Sequence, residues 1–300
     1  MKTCRKTVPI VALLVLWLGL GILTEVKSDN LGDGLFWRVR TENATVYLLG
    51  SIHLASDDIY PFPLEIEDAF DESEYLVVEV DITAIDQNEI IQLIQQYGRF
   101  DDERTLRDVI PDSTYDAVQQ EFQEHGLNIR QYERMKPWVV AITLSQLQIA
   151  KFGYVPEYGV DLYFLSDARN EKEIIELETG VEQLRLFSDL AMELQTLLLE
   201  DFLYDLTMPR EQINELFDAY ARFDAEWIRE FVFESVERHP ELEPLYEKLL
   251  DDRNRKMAEK IDRFLRGEGT YFVVVGAAHL FGETGIPNLL WRKGYEPVRP

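Results

Sequence analysis

Cysteine is almost absent from this 300-residue chain, which contains only Cys4. A single thiol excludes an internal disulfide and a paired Cys-x-x-C metal or redox site. Cys4 precedes the apolar N-terminal run, so it is not placed as the acylated cysteine of a bacterial lipoprotein. If the N-terminal segment is removed, no cysteine remains to act as a nucleophile. An exported domain without disulfides fits a bacterial envelope better than a disulfide-dense secreted scaffold.

Several motifs that identify common enzyme classes are also missing. There is no H-E-x-x-H zinc-protease motif, no G-x-S-x-G nucleophile elbow and no Walker A phosphate loop. Nor does a Pro-, Gly- or Ser-rich linker or a low-complexity tract divide the chain. We therefore expect a single domain over residues 29–300 whose chemistry does not use these motifs.

Basic residues are scarce relative to acidic ones. The chain has 30 Lys and Arg against 56 Asp and Glu, which gives a formal net charge of −26. Such a surface repels phosphate backbones and anionic lipids, so nucleic acid is not an expected partner. The content of 46% apolar and 12% aromatic residues is that of a globular protein rather than a disordered one.

The N-terminal segment has the layout of an export signal. Three basic residues within the first six precede an apolar stretch over residues 8–23, as in a signal peptide. The stretch is a little short for a transmembrane helix, which needs roughly 20 residues. Cleavage after residues 26–28 (VKS) is favoured, and an uncleaved anchor that contacts the membrane is the alternative. We expect residues 1–28 to be a signal peptide or anchor, and the protein to be exported to the periplasm or cell envelope.

Strand-like segments at the two ends of the chain enclose a mostly helical middle. Alternating or continuous apolar runs between turn residues predict strands, and apolar residues spaced three to four apart predict helices. The predicted strands are 34–40 and 45–49 (a hairpin), 75–80, 173–177, 271–275 and 295–298. The predicted helices are 64–70, 88–107, 113–125, 137–152, 160–169, 181–206, 210–220, 224–236, 241–265 and 287–293. This order indicates an α/β fold with a mixed central sheet built from both chain ends and a large helical insertion.

A short phrase occurs twice, as VYLLGSIH near one end of the chain and FVVVGAAH near the other. In both, a buried-type apolar run ends at a glycine (Gly50, Gly276) and a histidine follows three places later (His53, His279). A strand, a glycine turn and then an imidazole is how an α/β fold directs a side chain into the crevice at the carboxyl ends of its strands. Two pseudo-repeated units of this kind predict a shared metal or acid–base site, and zinc, manganese and cobalt all accept imidazole ligands.

Two imidazoles do not complete a metal site, so a carboxylate is also required. Glu79 lies in the apolar run YLVVEVD, where an unpaired carboxylate is costly to bury. It is therefore either a metal ligand, a general base or the buried partner of an arginine. Asp81, two residues later, faces the same side as Glu79 if the strand continues.

The other candidates have weaker sequence signals. Asp161 opens an apolar helix, where an acid is favourable through the helix dipole alone. Arg253 and Asn254 lie in a charged helical run whose other charges look solvated. The remaining histidines, His125 at a helix end and His239 before a proline, carry no further signal.

Together these phrases resemble the TraB/GumN family, which is related to the Tiki metalloproteases. The resemblance covers residues 35–298 and rests on seven phrases in the family's order. They are LFWRV, YLLGSIH, LVVEVD, YGVDLYFL, IELETGVEQL, DRNRKMAEKI and VVVGAAHLFGETGI. Such a set is far more specific than a lone G-x-x-H motif.

The resemblance implies a divalent-metal site with three ligands and three further members. The implied ligands are His53, His279 and Glu79, and the implied further members are Asp161, Arg253 and Asn254. The implied activity is metal-dependent hydrolysis of an extracytoplasmic peptide or protein. In that activity Glu79 acts as ligand or general base, Arg253 stabilises the oxyanion, and Asn254 orients substrate or a ligand. Two alternatives stay open: a non-catalytic envelope protein that binds a peptide or haem-like ligand, and an esterase of the erythromycin-esterase type.

Overall fold

The computed structural model describes residues 31–152, 154–169, 171–206, 210–238 and 240–300. The predicted signal segment, its cleavage site, Cys4 and His239 lie outside the described residues. Within these ranges, no helix is both long enough and apolar enough to span a bilayer.

The centre of the fold is a five-stranded mixed sheet with strand order β1-β2-β5-β3-β4. Its strands are β1 (Phe36–Arg40), β2 (Ala44–Ser51), β3 (Tyr75–Val78), β4 (Glu173–Glu176) and β5 (Gly269–Gly276). β1 and β2 form the predicted antiparallel hairpin, and the other neighbouring strands pair in parallel. The C-terminal β5 inserts between β2 and β3, so both ends of the chain build the sheet. The predicted α/β fold with a mixed sheet from both chain ends is confirmed.

β2 and β5, which carry the two repeated phrases, are neighbours in the middle of the sheet. Gly50 pairs with Val275, and Ser51 pairs with Gly276. Both strands are buried over their last six residues, because helices cover the two faces of the sheet and leave no polar side. The two G-x-x-H units therefore lie side by side at the carboxyl ends of adjacent parallel strands.

Helices fill most of the rest of the chain. Those before β4 are α1 (Leu64–Asp71), α2 (Gln87–Tyr97), α3 (Leu106–Val109), α4 (Asp112–Glu124), α5 (Pro137–Phe152) and α6 (Val160–Ala168). Those between β4 and β5 are α7 (Gly180–Ser188), α8 (Met192–Asp205), α9 (Arg210–Ala221), α10 (Ala225–Arg238), α11 (Glu243–Tyr246) and α12 (Asp252–Arg266). α13 (Ile286–Arg292) follows β5.

Each face of the sheet has its own helical layer, and a third core lies away from it. On one face α1, α6, α9 and α10 pack around Phe164 and Phe272. On the other face α12 packs through Met257 and Ile261, and α13 through Ile286 and Leu290, in the core that contains Val273 of β5. The third core joins α2, α4, α5, α7, α8 and α11. α12 and α6 thus cover opposite faces of the same pair of strands.

The structure corrects several predicted boundaries. The strand over 75–80 ends at Val78, so Glu79 follows the strand and does not lie inside it. The helix over 88–107 stops at Gly98, whose backbone N–H bonds to the Ile94 carbonyl oxygen at 2.7 Å, and α3 begins later at a Thr105 capping box. Local capping chemistry ends these helices although the apolar spacing continues past it.

Elements later in the chain also differ from their predicted boundaries. The helix over 181–206 is two helices, α7 and α8, separated at residues 189–191. A π-helical segment (Glu247–Asp251) interrupts the helix over 241–265, just before α12. The predicted terminal strand over 295–298 is only an isolated antiparallel bridge between Arg38 and Val298.

Candidate active site

Four parallel strands end at one edge of the sheet, and each is followed by a buried polar side chain. His53 follows β2, His279 follows β5, Glu79 follows β3 and Glu178 follows β4, and all four are at most 8% exposed. The carboxyl edge of parallel strands is where α/β folds place ligand and catalytic groups. This edge is the candidate site.

His53 is held by a carboxylate from the helix that packs on its strand. Its Nδ1 lies 2.5 Å from Oδ2 of Asp161, and the other carboxylate oxygen accepts a hydrogen bond from Ser51 Oγ at 3.0 Å. Asp161 is in the first turn of α6, and the Val160 N–H bonds to the Ile52 carbonyl oxygen at 2.9 Å. The start of α6 is thereby fixed against the loop that carries His53.

An amide holds His279 through the same ring nitrogen by which a carboxylate holds His53. Its Nδ1 lies 2.5 Å from Oδ1 of Asn254, a residue of α12 that is 1% exposed. An amide oxygen only accepts hydrogen bonds, so Nδ1 carries the proton and the lone pair is on Nε2. His279 itself is completely buried.

The Nε2 atoms of both histidines are buried, and neither has a hydrogen-bond partner among the residues that the structure describes. Oε1 of Glu79 lies 3.5 Å from Nε2 of His279, which is too far for a good hydrogen bond. A buried polar atom without a hydrogen-bond partner lowers the stability of the folded protein. Native proteins therefore keep few such atoms, and a catalytic or binding role is one reason to keep them. The two free nitrogens are the central feature of this edge.

Both oxygens of Glu79 are already engaged. Oε1 accepts the Gly276 N–H at 2.7 Å, and Oε2 accepts from Arg253 at 2.5 Å and from Gln183 at 3.1 Å. The Gly276 contact ties Glu79 to the second repeated phrase. The predicted pairing of Glu79 with a buried arginine, given as the alternative to a metal ligand, is what the structure contains.

Arg253 lies between two carboxylates, and each of its three side-chain nitrogens donates a hydrogen bond. Its Nε and Nη2 bond to Glu178 at 2.8–3.0 Å, Nη2 also bonds to Glu79, and Nη1 donates to the Leu249 carbonyl oxygen at 3.0 Å. The side chain is 3% exposed. The expected role of Arg253 as an oxyanion stabiliser does not suit this geometry, because the guanidinium instead holds Glu79 and Glu178 in place.

Burial and neighbouring charges shift the pKa values of these groups. Burial raises the pKa of Glu79, but Arg253 and the two imidazoles oppose it and bring it to about 2. Burial and the Arg253 charge lower the pKa of His279 to about 3. Burial also lowers the pKa of His53, yet the Asp161 carboxylate outweighs it, and the net pKa lies above the ordinary value. The site thus combines an ionised carboxylate, a neutral imidazole and an imidazole made more basic.

Not every predicted residue reaches this group. Because β3 ends at Val78, strand alternation does not extend to Asp81, whose carboxylate instead contacts Thr83 and Arg169. Gly50 has a structural role, since a Cβ there would come within 3.0 Å of the Ala277 Cα atom. His125 is the C-terminal cap of α4, outside the site.

Glu178 and Gln183 are site residues that the sequence did not single out. Glu178 is an acid two residues after the β4 strand, and Gln183 lies in the first turns of α7 and bonds to both Glu79 and Glu178. The rule applied to Glu79, an acid following an apolar strand, fits Glu178 as well. β4 is a half-exposed edge strand, so its sequence lacked the continuous apolar run that drew attention to Glu79.

The donors fit a divalent metal in part. Free Nε2 lone pairs suit zinc, manganese or cobalt, and an oxygen on each Nδ1 is the usual support of a ligating histidine. Among the residues that the structure describes, however, no three His, Cys, Asp or Glu side chains are arranged as a metal site. The reason is Glu79, whose oxygens face Arg253, Gln183 and Gly276. The geometry provides two nitrogen ligands and not a third carboxylate ligand.

Comparison with known proteins identifies the family of this chain. The TraB/PrgY/gumN family matches residues 35–299. The uncharacterized protein YbaP of Escherichia coli (strain K12) is 26% identical over 251 residues, which cover 83% of this chain and 88% of that protein. An uncharacterized protein of Treponema pallidum (strain Nichols) is 24% identical over 157 residues, 52% of this chain and 47% of that protein. Because the family match runs from the first strand of the sheet to the C-terminal segment, this chain belongs to the TraB/PrgY/gumN family.

Proposed function

We propose that this protein is a metal-dependent hydrolase, of the Tiki-like peptidase type, that cleaves a peptide or protein substrate. The observation that carries the proposal is the pair of buried, unpartnered Nε2 atoms on His53 and His279. Asp161 and Asn254 hold both rings in the tautomer that leaves Nε2 free to ligate. When bound, a divalent metal supplies Lewis acidity at this edge.

The remaining side chains have roles that follow from their contacts. Glu79 is an anionic acceptor 3.5 Å from the His279 ring, and its proposed role is to accept a hydrogen bond from an attacking water and so orient it. Arg253 and Gln183 hold that carboxylate still. Glu178 accepts hydrogen bonds from Nε and Nη2 of the Arg253 guanidinium. Holding such groups rigidly before the substrate arrives is how an enzyme site lowers its reorganisation cost.

The proposed place of action is outside the cytoplasm, in the periplasm or cell envelope. Its support is the basic and apolar pattern of residues 1–28. An exported peptide or protein is then the substrate that this hydrolase meets. Membrane contact is proposed only for a chain that keeps its N-terminal segment.

A second candidate, hydrolysis without a metal, is favoured by one observation. The Asp161 carboxylate orients His53 and raises its pKa, and the ring's Nε2 is free. A carboxylate–imidazole pair of this kind is a general base by itself. In this candidate an ester or amide substrate is attacked by a water that His53 activates, as in the esterase alternative.

Elemental analysis of the purified protein tests the proposal and separates the two candidates. We expect about one transition metal per chain, lost in His53→Ala/His279→Ala and retained in His125→Ala, a control for a histidine outside the site. Hydrolysis of a peptide library should stop on chelation and return with manganese, cobalt or zinc. If no metal binds even after reconstitution, the metal-dependent function is wrong. Cleavage that survives chelation but not His53→Ala identifies the second candidate.

A further inference from the structure

A cavity of about 590 Å³ lies on the outer side of the Arg253–Glu178 pair, between α7 and α12. Both buried residues form part of its wall, so the cavity adjoins the candidate site without containing either histidine. Its size is within the range of ligand-binding clefts, about 300–1,000 Å³.

The α12 side of the cavity is a row of cations. Arg253, Lys256, Lys260 and Arg263 all line it, and their spacing of three, four and three residues places them on one face of the helix. Two more lining residues are basic, Lys248 of the π-helical segment and Arg185 of α7. Six basic and five acidic residues line the cavity, so the basic side chains are slightly in excess there, whereas the whole chain has a net charge of −26.

Five acidic side chains also line the cavity. Glu178 pairs with Arg253, and Asp189 accepts a hydrogen bond from the Ser188 hydroxyl at 3.2 Å. Glu182 closes the Thr179 capping box, Asp252 pairs with Arg255 at 2.8 Å, and Glu259 pairs with Lys293 at 2.6 Å. The Thr179 backbone bond is the main cause of the lowered pKa of Glu182, and Lys260 and Lys256 add to it.

The basic side chains of the cavity have fewer charged partners. Among the described residues, no ion pair or hydrogen bond engages the side chains of Lys248, Lys256 or Arg263, and all three are exposed. Lys260 donates to the Leu177 carbonyl oxygen and Arg185 to the Tyr97 hydroxyl, both uncharged acceptors. Arg253 aside, the basic side chains of the cavity therefore present positive charge that no carboxylate of the described residues pairs with directly.

We propose that this cavity binds an extended acidic peptide segment. Arg253 is occupied by Glu79 and Glu178, so the row open to a ligand is Lys256, Lys260 and Arg263. It is about 10 Å long at the rise of an α-helix, comparable with the span of three alternate side chains of an extended peptide. Neighbouring cations in the row lie about 5–6 Å apart, close to the spacing of alternate side chains on one face of an extended peptide. Carboxylates at alternate positions of the ligand therefore face the successive cations. The strongly acidic remainder of the protein disfavours nucleic acid as the ligand.

Binding at this cavity stands independently of the proposed function, because it needs neither a metal nor turnover. If the hydrolase proposal is also correct, the cavity selects substrates with an acidic segment next to the cleaved bond. This second step rests on the proposed function. Selection of acidic substrates by the cavity changes KM and leaves kcat unchanged.

Fluorescence polarisation with a labelled Glu-Gly-Glu-Gly-Glu peptide tests the binding directly, with Gln-Gly-Gln-Gly-Gln as the peptide control. The test variant is Lys256→Glu/Arg263→Glu. The matched control is Arg40→Glu/Arg130→Glu, which makes the same charge change at two exposed positions outside the cavity. Thermal unfolding of every variant checks that each one is folded.

We expect the wild type to bind the Glu peptide, and to bind it less well as NaCl rises from about 0.05 to about 0.5 M. The cavity variant should bind at least about tenfold more weakly and the control variant like the wild type. Equal binding of the Gln peptide, or unchanged binding by the cavity variant, overturns the proposal. So does displacement of the peptide by inorganic phosphate or a single-stranded oligonucleotide at lower concentration than by the unlabelled Glu peptide.

Discussion

At the scale of single residues, the two imidazoles of the candidate site differ in the hydrogen-bond partner of their Nδ1 atoms. His53 is backed by a carboxylate and His279 by an amide, both at 2.5 Å from Nδ1. Despite burial, the Asp161 carboxylate raises the pKa of His53, whereas burial and the Arg253 charge lower the pKa of His279 to about 3, and the neutral amide does not oppose them. The two halves of the repeat therefore differ in chemistry although their sequences match. This asymmetry suits a site in which one ring only ligates and the other is also basic.

Asp161→Ala tests the support of His53. The substitution leaves a buried Nδ1 without its acceptor, so we expect metal affinity to fall about 10–100-fold, the usual effect of losing such a support. Competition with a chromogenic chelator measures it. Ser51→Ala removes only the 3.0 Å bond to the other Asp161 oxygen and should change affinity much less. Wild-type affinity in the Asp161→Ala protein would show that the ring does not need this carboxylate.

Arg253→Met tests the buried ion network. Two carboxylates, Glu79 and Glu178, would lose the cation between them, so we expect the free energy of unfolding to fall by about 3–5 kcal/mol. Urea denaturation measures the loss. Arg255→Met is the matched control two residues along α12, because its pair with Asp252 is half exposed and is worth less than about 1 kcal/mol. Equal losses in both variants would contradict a structural role for Arg253.

At the scale of elements, the site depends on close contact between α6 and the loop after β2. Gly159 immediately precedes α6, and a Cβ there would lie 2.3 Å from the His53 carbonyl oxygen and 2.7 Å from its carbonyl carbon. Both atoms belong to the backbone and have little freedom to move. A glycine at this position is what lets Asp161 approach the His53 ring.

Gly159→Ala should therefore displace the start of α6 from His53. We expect a loss of stability at or above the upper end of the about 1–3 kcal/mol typical of overpacking, because backbone has to shift, together with reduced metal binding. Gly50→Ala is the graded comparison, with its nearest atom at 3.0 Å, and should be milder. Thermal unfolding and metal titration of both proteins check the order. A Gly159→Ala protein as stable as wild type would rule out the close approach.

Elements were also where sequence and structure differed most. Apolar spacing located nearly every helix, but Gly98 and the Thr105 capping box divided one predicted helix and the π-helical segment interrupted another. Periodicity reports which side of a segment is buried, and it continues across a cap or a bulge. The ends of elements are decided by hydrogen bonds, which composition only partly encodes.

At the scale of the whole molecule, the C-terminal segment is joined to the first strand and to α12. The Val298 backbone bridges to Arg38 of β1, and the Tyr295 hydroxyl donates to Asp262 of α12 at 2.7 Å. Asp262 is buried, yet Arg266 lies 2.7 Å from its other oxygen. These contacts fasten the C-terminal segment across the sheet that carries the site.

Asp262→Asn should lower global stability in a pH-dependent way. Burial raises the pKa of Asp262, but Tyr295, Lys293 and Arg266 outweigh it, so the folded pKa lies below the unfolded one. Its contribution is then complete at neutral pH and disappears as the pH falls below about 4. We expect Asp262→Asn to cost about 1 kcal/mol at pH 7, limited by the exposure of Arg266.

Urea denaturation at several pH values measures this difference, with Asp252→Asn as an exposed control of the same chemistry. The wild-type advantage should shrink toward pH 3 for Asp262→Asn and stay near zero throughout for Asp252→Asn. A difference that does not change with pH would mean that Asp262 acts through packing and not through its charge.

The sequence by itself determined the family, the α/β class, the sheet built from both chain ends and the two G-x-x-H units, because apolar runs and their glycine turns are local patterns. It also identified His53, His279 and Glu79 as chemically unusual. Only the tertiary structure decided that both Glu79 oxygens are engaged, that Arg253 is enclosed and that Glu178 completes the network. Those facts depend on contacts between residues up to 197 positions apart, whose partners no local pattern specifies.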